Sequence, residues 1–162
     1  MVVRRILLWT VLTALLASPA AAQTYEPWLG EWRLNIEKST YNPGPPPYTR
    51  ATFRIEPWMD GVRVIYDMVR PRGGVIHMEW DGRFDGQEYP VQGLEEHVTY
   101  AYTRIDDRTY DIVARMDGRV AASSRTAVSP DGRTITTITV GRDAQGREAK
   151  TVTVYEKVER RE

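Results

Sequence analysis

Residues 50–68, RATFRIEPWMDGVRVIYDM, decide the fold because they contain two alternating segments joined at an Asp-Gly pair. From Ala51 to Ile55 every second residue is apolar, and the same alternation resumes after Gly61. Such alternation places the apolar side chains on one face of a half-buried β-strand. Asp-Gly suits a tight type I′ hairpin, whose two central residues both need positive φ. The stretch therefore predicts two antiparallel strands joined by a tight turn.

The rest of the chain repeats this pattern. Four more Asp-Gly pairs follow, at Asp81-Gly82, Asp85-Gly86, Asp117-Gly118 and Asp131-Gly132. Alternation predicts strands over 31–37, 50–57, 62–68, 76–80, 97–106, 109–116, 119–128, 133–141 and 148–158, with a short piece at 88–91. No segment shows the 3.6-residue apolar period of a helix. Closing the sheet would remove its exposed edges, so we expect an all-β, antiparallel up-and-down (meander) β-barrel of eight to ten strands.

The N-terminal residues predict secretion. Arg4-Arg5 is followed by an apolar run that is too short for a stable transmembrane helix and then by Ala20-Ala21-Ala22, a signal-peptidase pattern. We therefore expect residues 1–22 to be a Sec signal peptide cleaved after Ala22, and 23–162 to form a single domain in the periplasm or outside the cell. An uncleaved anchor is the alternative.

Charge and composition exclude several partners. Lys and Arg number 22, as do Asp and Glu, so the formal net charge is +0. Nucleic-acid binding requires a basic surface, and adsorption to anionic membranes requires a basic patch. We therefore expect no nucleic-acid partner. The chain after residue 22 has no second apolar run, so we expect no membrane span, and we also expect a monomer. The chain has no Cys, so the fold does not depend on disulfides.

Two ends of the chain point to a family. The first predicted strand begins Gly30-Glu31-Trp32, a G-x-W motif, and the last reads Val152-Thr-Val-Tyr-Glu-Lys-Val158. Together with the meander, these resemble the calycin superfamily of lipocalins and fatty-acid-binding proteins, and also small secreted bacterial proteins described as lipocalin-like. The resemblance implies that Trp32 plugs one end of the barrel and stacks on a basic residue near the last strand. The basic candidates are Lys157, Arg160 and Arg161.

The chain departs from the fatty-acid-binding pattern in two places. Thr153 occupies the position where that family has an Arg for the ligand carboxylate. The Pro-rich segment 43–47 stands where the paired helical lid of the family would begin. Its composition predicts a stiff connector across a barrel mouth, with Tyr41 or Tyr48 covering the opening.

Polar side chains on the inner faces are the candidate ligand contacts. Tyr66, Tyr100 and Tyr102 share faces with apolar neighbours, and Arg104 shares a face with Tyr102. A barrel that binds an amphiphile needs a few such groups among apolar walls. The alternative for the three Tyr is core packing with satisfied hydroxyls. The other strand Arg residues alternate with apolar neighbours, as Arg54 does, and are expected to face solvent.

Catalytic and metal sites have little support. His77 and Glu79 share a strand face and could supply two ligands, but a structural zinc site needs four and no spacing provides them. The chain has no Cys and no G-x-S-x-G elbow, and Ser123-Ser124 has no His nearby in sequence. We expect no metal, no cofactor and no catalytic residue.

The leading hypothesis is a non-catalytic barrel that binds a small hydrophobic or amphipathic molecule. Its rival is a structural or interaction module whose barrel is packed solid and which acts through its surface; an enzyme of unknown type comes third. Interior volume separates the first two. Small residues would leave a cavity (Ala121, Ala122, Ser123, Ser124), and large ones would fill it (Met78, Trp80, Met116).

Overall fold

A computed structural model describes residues 25–143 and 145–159. The predicted signal peptide, 1–22, and Arg160 and Arg161 lie outside the described residues. Ten strands form the structure: β1 (Gly30–Asn42), β2 (Arg50–Trp58), β3 (Gly61–Val69), β4 (Val75–Gly82), β5 (Asp85–Gln92), β6 (Val98–Arg104), β7 (Thr109–Met116), β8 (Arg119–Val128), β9 (Thr134–Arg142) and β10 (Glu148–Lys157).

The strands close into one antiparallel barrel. Each strand pairs with its neighbours in the chain, and β1 pairs with β10 to complete the ring. The predicted all-β meander barrel is therefore confirmed, with ten strands at the upper end of the predicted range. The described residues contain no helix that is long and apolar enough to cross a membrane.

One Asp-Gly pair forms the turn that the sequence predicted. Asp117 and Gly118 have φ of 50° and 76° and join β7 to β8 between the paired residues Met116 and Arg119. Positive φ at both central residues is the requirement of a type I′ hairpin. Gly meets this requirement without strain and Asp tolerates it, which explains the choice of residues.

The prediction of a tight turn is wrong at Asp81-Gly82, which forms the last two residues of β4. Gly82 is needed there because its backbone lies close to the Trp80 ring, and a Cβ on Gly82 would lie 2.5 Å from that ring. At Asp60-Gly61 the turn residues are Met59 and Asp60, and Gly61 already belongs to β3. Asp85-Gly86 begins β5 beside a register shift, and Asp131-Gly132 lies in the longer connection from β8 to β9.

Aromatic rings fill one half of the barrel, which we call the lower half. This aromatic plug comprises the buried rings of Trp28, Trp32, Trp80, Phe84, Tyr102 and Tyr110. Trp80 stacks on Tyr102 with ring centroids 4.0 Å apart, and Trp28 meets Tyr110 edge-on at 4.5 Å. Trp28 precedes β1, and its carbonyl accepts a 2.9 Å hydrogen bond from the Trp32 indole N–H. The segment before the first strand thus closes the lower end.

Replacing Trp28 with Ala should lower the free energy of unfolding by about 3–5 kcal/mol, because a large buried ring would leave a cavity in the plug. Trp28 is 1% exposed, whereas Trp58 is 39% exposed and serves as a matched control. Denaturant unfolding followed by circular dichroism measures both, and Trp58→Ala should cost no more than about 1 kcal/mol. Equal losses in the two variants would contradict this account of the plug.

Candidate functional site

An interior cavity of about 380 Å³ lies above the aromatic plug. The barrel is therefore filled in its lower half and hollow in its upper half. Inward-facing residues explain the change: large rings occupy the lower half, whereas Ala114, Ala122 and Ser124 line the upper half on β7 and β8. Of the small residues that the sequence offered as cavity-forming, Ala122 and Ser124 face the cavity.

One wall of the cavity is apolar. It is lined by Met68 on β3 and by Ile76 and Met78 on β4. Met68 and Met78 are each only 8% exposed. The flexible thioether chain of Met adapts to irregular surfaces, which suits a wall that a guest molecule contacts. Tyr100 on β6 extends this wall with its ring.

The other wall carries hydroxyl groups. The Ser124 and Thr139 hydroxyls lie 2.8 Å apart, and those of Thr126 and Thr137 lie 2.9 Å apart. Thr153 on β10 donates a longer, 3.5 Å hydrogen bond to the Thr137 carbonyl. Because these residues are paired across β8, β9 and β10, their hydroxyls form one continuous patch, which we call the hydroxyl wall.

The two walls face each other. In the ring order β1-β10-β9-β8-β7-β6-β5-β4-β3-β2, five steps separate β9 from β4. Five steps around a ten-stranded ring reach the opposite side. The hydroxyl wall, centred on β9, therefore lies across the cavity from the apolar wall of β3 and β4.

Phenol groups around the cavity stay neutral. Burial raises the pKa of Tyr66 and of Tyr155 far above that of an exposed phenol, and raises the pKa of Tyr100 to about 12. The cause is the loss of solvation of the phenolate form. Near pH 7 these groups therefore act as hydrogen-bonding hydroxyls and not as charges.

Comparisons with known proteins add a likeness to a solved structure. No family model matches the chain, and no curated protein matches it. Among solved structures, the zebrafish ileal bile acid-binding protein in complex with cholic acid is similar at a TM-score of 0.48 and 13% sequence identity, over 81% of this chain and 98% of that one. The strand order of the chain itself decides its architecture: ten antiparallel strands in a closed meander.

The closed meander barrel brings some of the predicted ligand contacts together. Tyr66 and Tyr100 line the cavity. Tyr102 is fully buried in the plug, and its hydroxyl lies 3.2 Å from that of Tyr66, at the boundary between plug and cavity. Arg104 ends β6 beyond the plug, and its guanidinium donates a 2.7 Å hydrogen bond to Asp107. The structure thus places Arg104 outside the cavity.

The predicted contact between Trp32 and a basic residue is present for Lys157. The ammonium of Lys157 lies 5.1 Å from the centroid of the Trp32 ring, within cation–π distance. Lys157 and Trp32 are also direct cross-strand partners where β10 meets β1. The Lys157 ammonium therefore packs over the aromatic plug where β10 meets β1 and closes the barrel.

Sequence reasoning offered Tyr48 as a cover for the barrel opening, but it missed Leu94 and several other cavity residues. Tyr48 and Leu94 reach the cavity from the connections between β1 and β2 and between β5 and β6. Tyr155 and the hydroxyl wall were also passed over. Alternation could have placed Ser124, Thr126 and Thr137 on inner faces, but Ser and Thr are equally common on exposed faces.

His77 lies on the outer surface between two carboxylates. Its Nδ1 is 2.8 Å from Asp67 Oδ1, and its Nε2 is 3.3 Å from Glu79 Oε1. The described residues hold no group of three or more His, Cys, Asp or Glu that could bind a metal. Hydrogen bonds to Asp67 and then Glu79 raise the pKa of His77 above 6.5.

NMR titration should therefore find a pKa above 6.5 for His77. The sequence has two His, so a His97→Gln background leaves one imidazole signal. A raised folded-state pKa means that His77 contributes stability below its unfolded pKa and loses it as pH rises through the folded value. The gain is under about 1 kcal/mol because the pair is exposed. Asp67→Asn should lower the pKa; an unchanged titration would contradict the ion pair.

Proposed function

We propose that this protein is a non-catalytic carrier that binds one small hydrophobic or amphipathic molecule in the upper half of its barrel. The observation that carries the proposal is the 380 Å³ cavity between a hydroxyl wall and an apolar wall. Ligand sites are typically concave, mostly apolar and about 300–1,000 Å³ in volume, with a few placed polar groups. The cavity meets each of these criteria.

Cavity volume limits the ligand. A protein cavity of about 150 Å³ accommodates benzene, with six non-hydrogen atoms. At the same packing, this cavity accommodates about fifteen. A medium-length alkyl chain with one polar end has this size. The apolar portion would contact Met68, Ile76 and Met78, and the polar end would contact the hydroxyl wall.

The ligand would enter through the upper end of the barrel. Tyr48 and Leu94 lie at this end in connections outside the strands, so they can move without breaking the ladder. The lower end is closed by the aromatic plug. The Pro-rich segment 43–47 leads directly to Tyr48 and would keep that side chain near the opening.

The rival, a solid barrel that acts through its surface, would require a filled upper half. Side chains at Ala114, Ala122 and Ser124 are too small to fill it.

Secretion or a periplasmic location, and a monomeric state, remain part of our proposal. The proposed location rests on residues 1–22 and can be tested by the intact mass of the exported protein, which should begin at Gln23.

Native mass spectrometry of the purified protein, before and after organic extraction, tests the proposed function. A defined small mass that extraction removes, followed by saturable uptake of decan-1-ol by the extracted protein, is the expected result. A bare mass together with no saturable uptake would overturn the proposal.

Filling the cavity should abolish binding without unfolding the protein. Ala122 faces the cavity on β8, whereas Ala127 on the same strand is exposed. Ala122→Phe should weaken uptake of decan-1-ol by at least about tenfold, or about 1.4 kcal/mol, because its ring would occupy the ligand volume. Ala127→Phe should bind as the wild type does. The melting temperatures of both variants control for folding, and equal affinities would place the ligand outside the cavity.

A further inference from the structure

The described residues that surround the cavity include none that is charged near pH 7. Its described lining consists of apolar side chains, Ser and Thr hydroxyls and Tyr phenols, with no Lys, Arg, His, Asp or Glu. Burial keeps the phenols neutral, as the raised pKa of Tyr100 shows. Arg104, the one predicted basic contact, lies beyond the plug and is hydrogen-bonded to Asp107. The described interior thus offers hydrogen bonds but no counter-charge.

An anionic guest would be penalised in such a cavity. Moving an ionised carboxylate out of water is costly unless a cation or several strong donors replace its solvation. A neutral hydroxyl or amide loses much less solvation, and a few hydrogen bonds can replace it. The energetic comparison therefore favours a neutral polar end over a charged one.

The hydroxyl wall can provide those hydrogen bonds. Each hydroxyl carries one hydrogen and two lone pairs. In the 2.8 Å contact between Ser124 and Thr139, one of the two hydrogens lies between the oxygens. The second hydrogen and the remaining lone pairs can serve another partner. The pair can therefore donate to and accept from the same guest, as an alcohol or an amide requires.

We propose that the cavity selects neutral amphiphiles, with an alcohol, amide or similar uncharged polar end on the hydroxyl wall, and discriminates against carboxylates. The inference rests on the proposed function and gives its ligand a chemical class. The polar end lies against Ser124, Thr137 and Thr139, and the alkyl portion lies against the Met and Ile side chains of β3 and β4.

Isothermal titration calorimetry of the extracted wild-type protein at pH 7.5 tests the selection directly. The probes are decan-1-ol, decanamide and decanoate, and the last two have equal numbers of non-hydrogen atoms. Decanamide should bind at least about tenfold more tightly than decanoate, or about 1.4 kcal/mol. Decan-1-ol should also bind more tightly than decanoate.

Two results of this titration would contradict our proposals, and they can be told apart. Decanoate binding as tightly as decanamide would leave a carrier and overturn the neutral selection alone. Saturable binding of none of the three probes would overturn the proposed function and the selection with it.

Thr137→Val tests the hydroxyl wall, because Val keeps the shape of Thr and removes the hydroxyl. Decanamide affinity should fall about three- to tenfold, as expected for one net hydrogen bond. Thr136→Val is the matched control, since its neighbouring position in β9 points to the other face of the sheet. Equal affinities in the two variants would show that the wall does not hold the polar end.

Thr153→Arg tests the missing counter-charge. Thr153 lines the cavity, so a guanidinium there would supply a cation to the interior. The variant should bind decanoate more tightly than decanamide, reversing the wild-type order. A melting temperature near that of the wild type establishes that it folds. A folded variant that still prefers decanamide would show that charge does not control selection, and it would overturn the inference.

Discussion

Closure of the sheet between β1 and β10 is the constraint on which the rest of the structure depends. It removes the two exposed edges of the meander and gives every strand an inner and an outer face. The closure includes an irregular stretch between Asn35 and Thr40, where the register shifts. There the Ser39 hydroxyl accepts a 3.0 Å hydrogen bond from the Val154 N–H and donates to the Asn35 carbonyl. A side chain thus maintains the seam where the ladder is interrupted.

Closure creates an interior, and side-chain size divides it. Large rings such as Trp80 and Tyr102 stack in the lower half and need no further partner. Ala122 and Ser124 leave the upper half hollow. The plug supplies the apolar burial that stabilises the barrel, so the upper half is free to remain open. The filled lower half therefore carries the stabilising burial, and the hollow upper half is where we propose that the ligand binds.

The site was predictable only in part. Period-two alternation placed Tyr66 and Tyr100 on inner faces, and the structure puts both at the cavity. The same rule placed Arg104 inward, but alternation carries no information on height along the barrel axis, and Arg104 lies beyond the plug. Ser and Thr give no distinctive sequence signal. The contact between Ser124 and Thr139 arises only from the pairing of β8 with β9.

The sequence by itself determined the all-β meander, a count of eight to ten strands and the face of most side chains, because these depend on local alternation and on turn residues such as Asp117-Gly118. It also established that Thr153, and not a basic residue, stands two positions before Tyr155 in the last strand. Only the tertiary structure decided that Gly82 lies within a strand, that the barrel is half filled and that two chemically different walls face each other. These features depend on register and on distances across the barrel, which residues far apart in sequence set together.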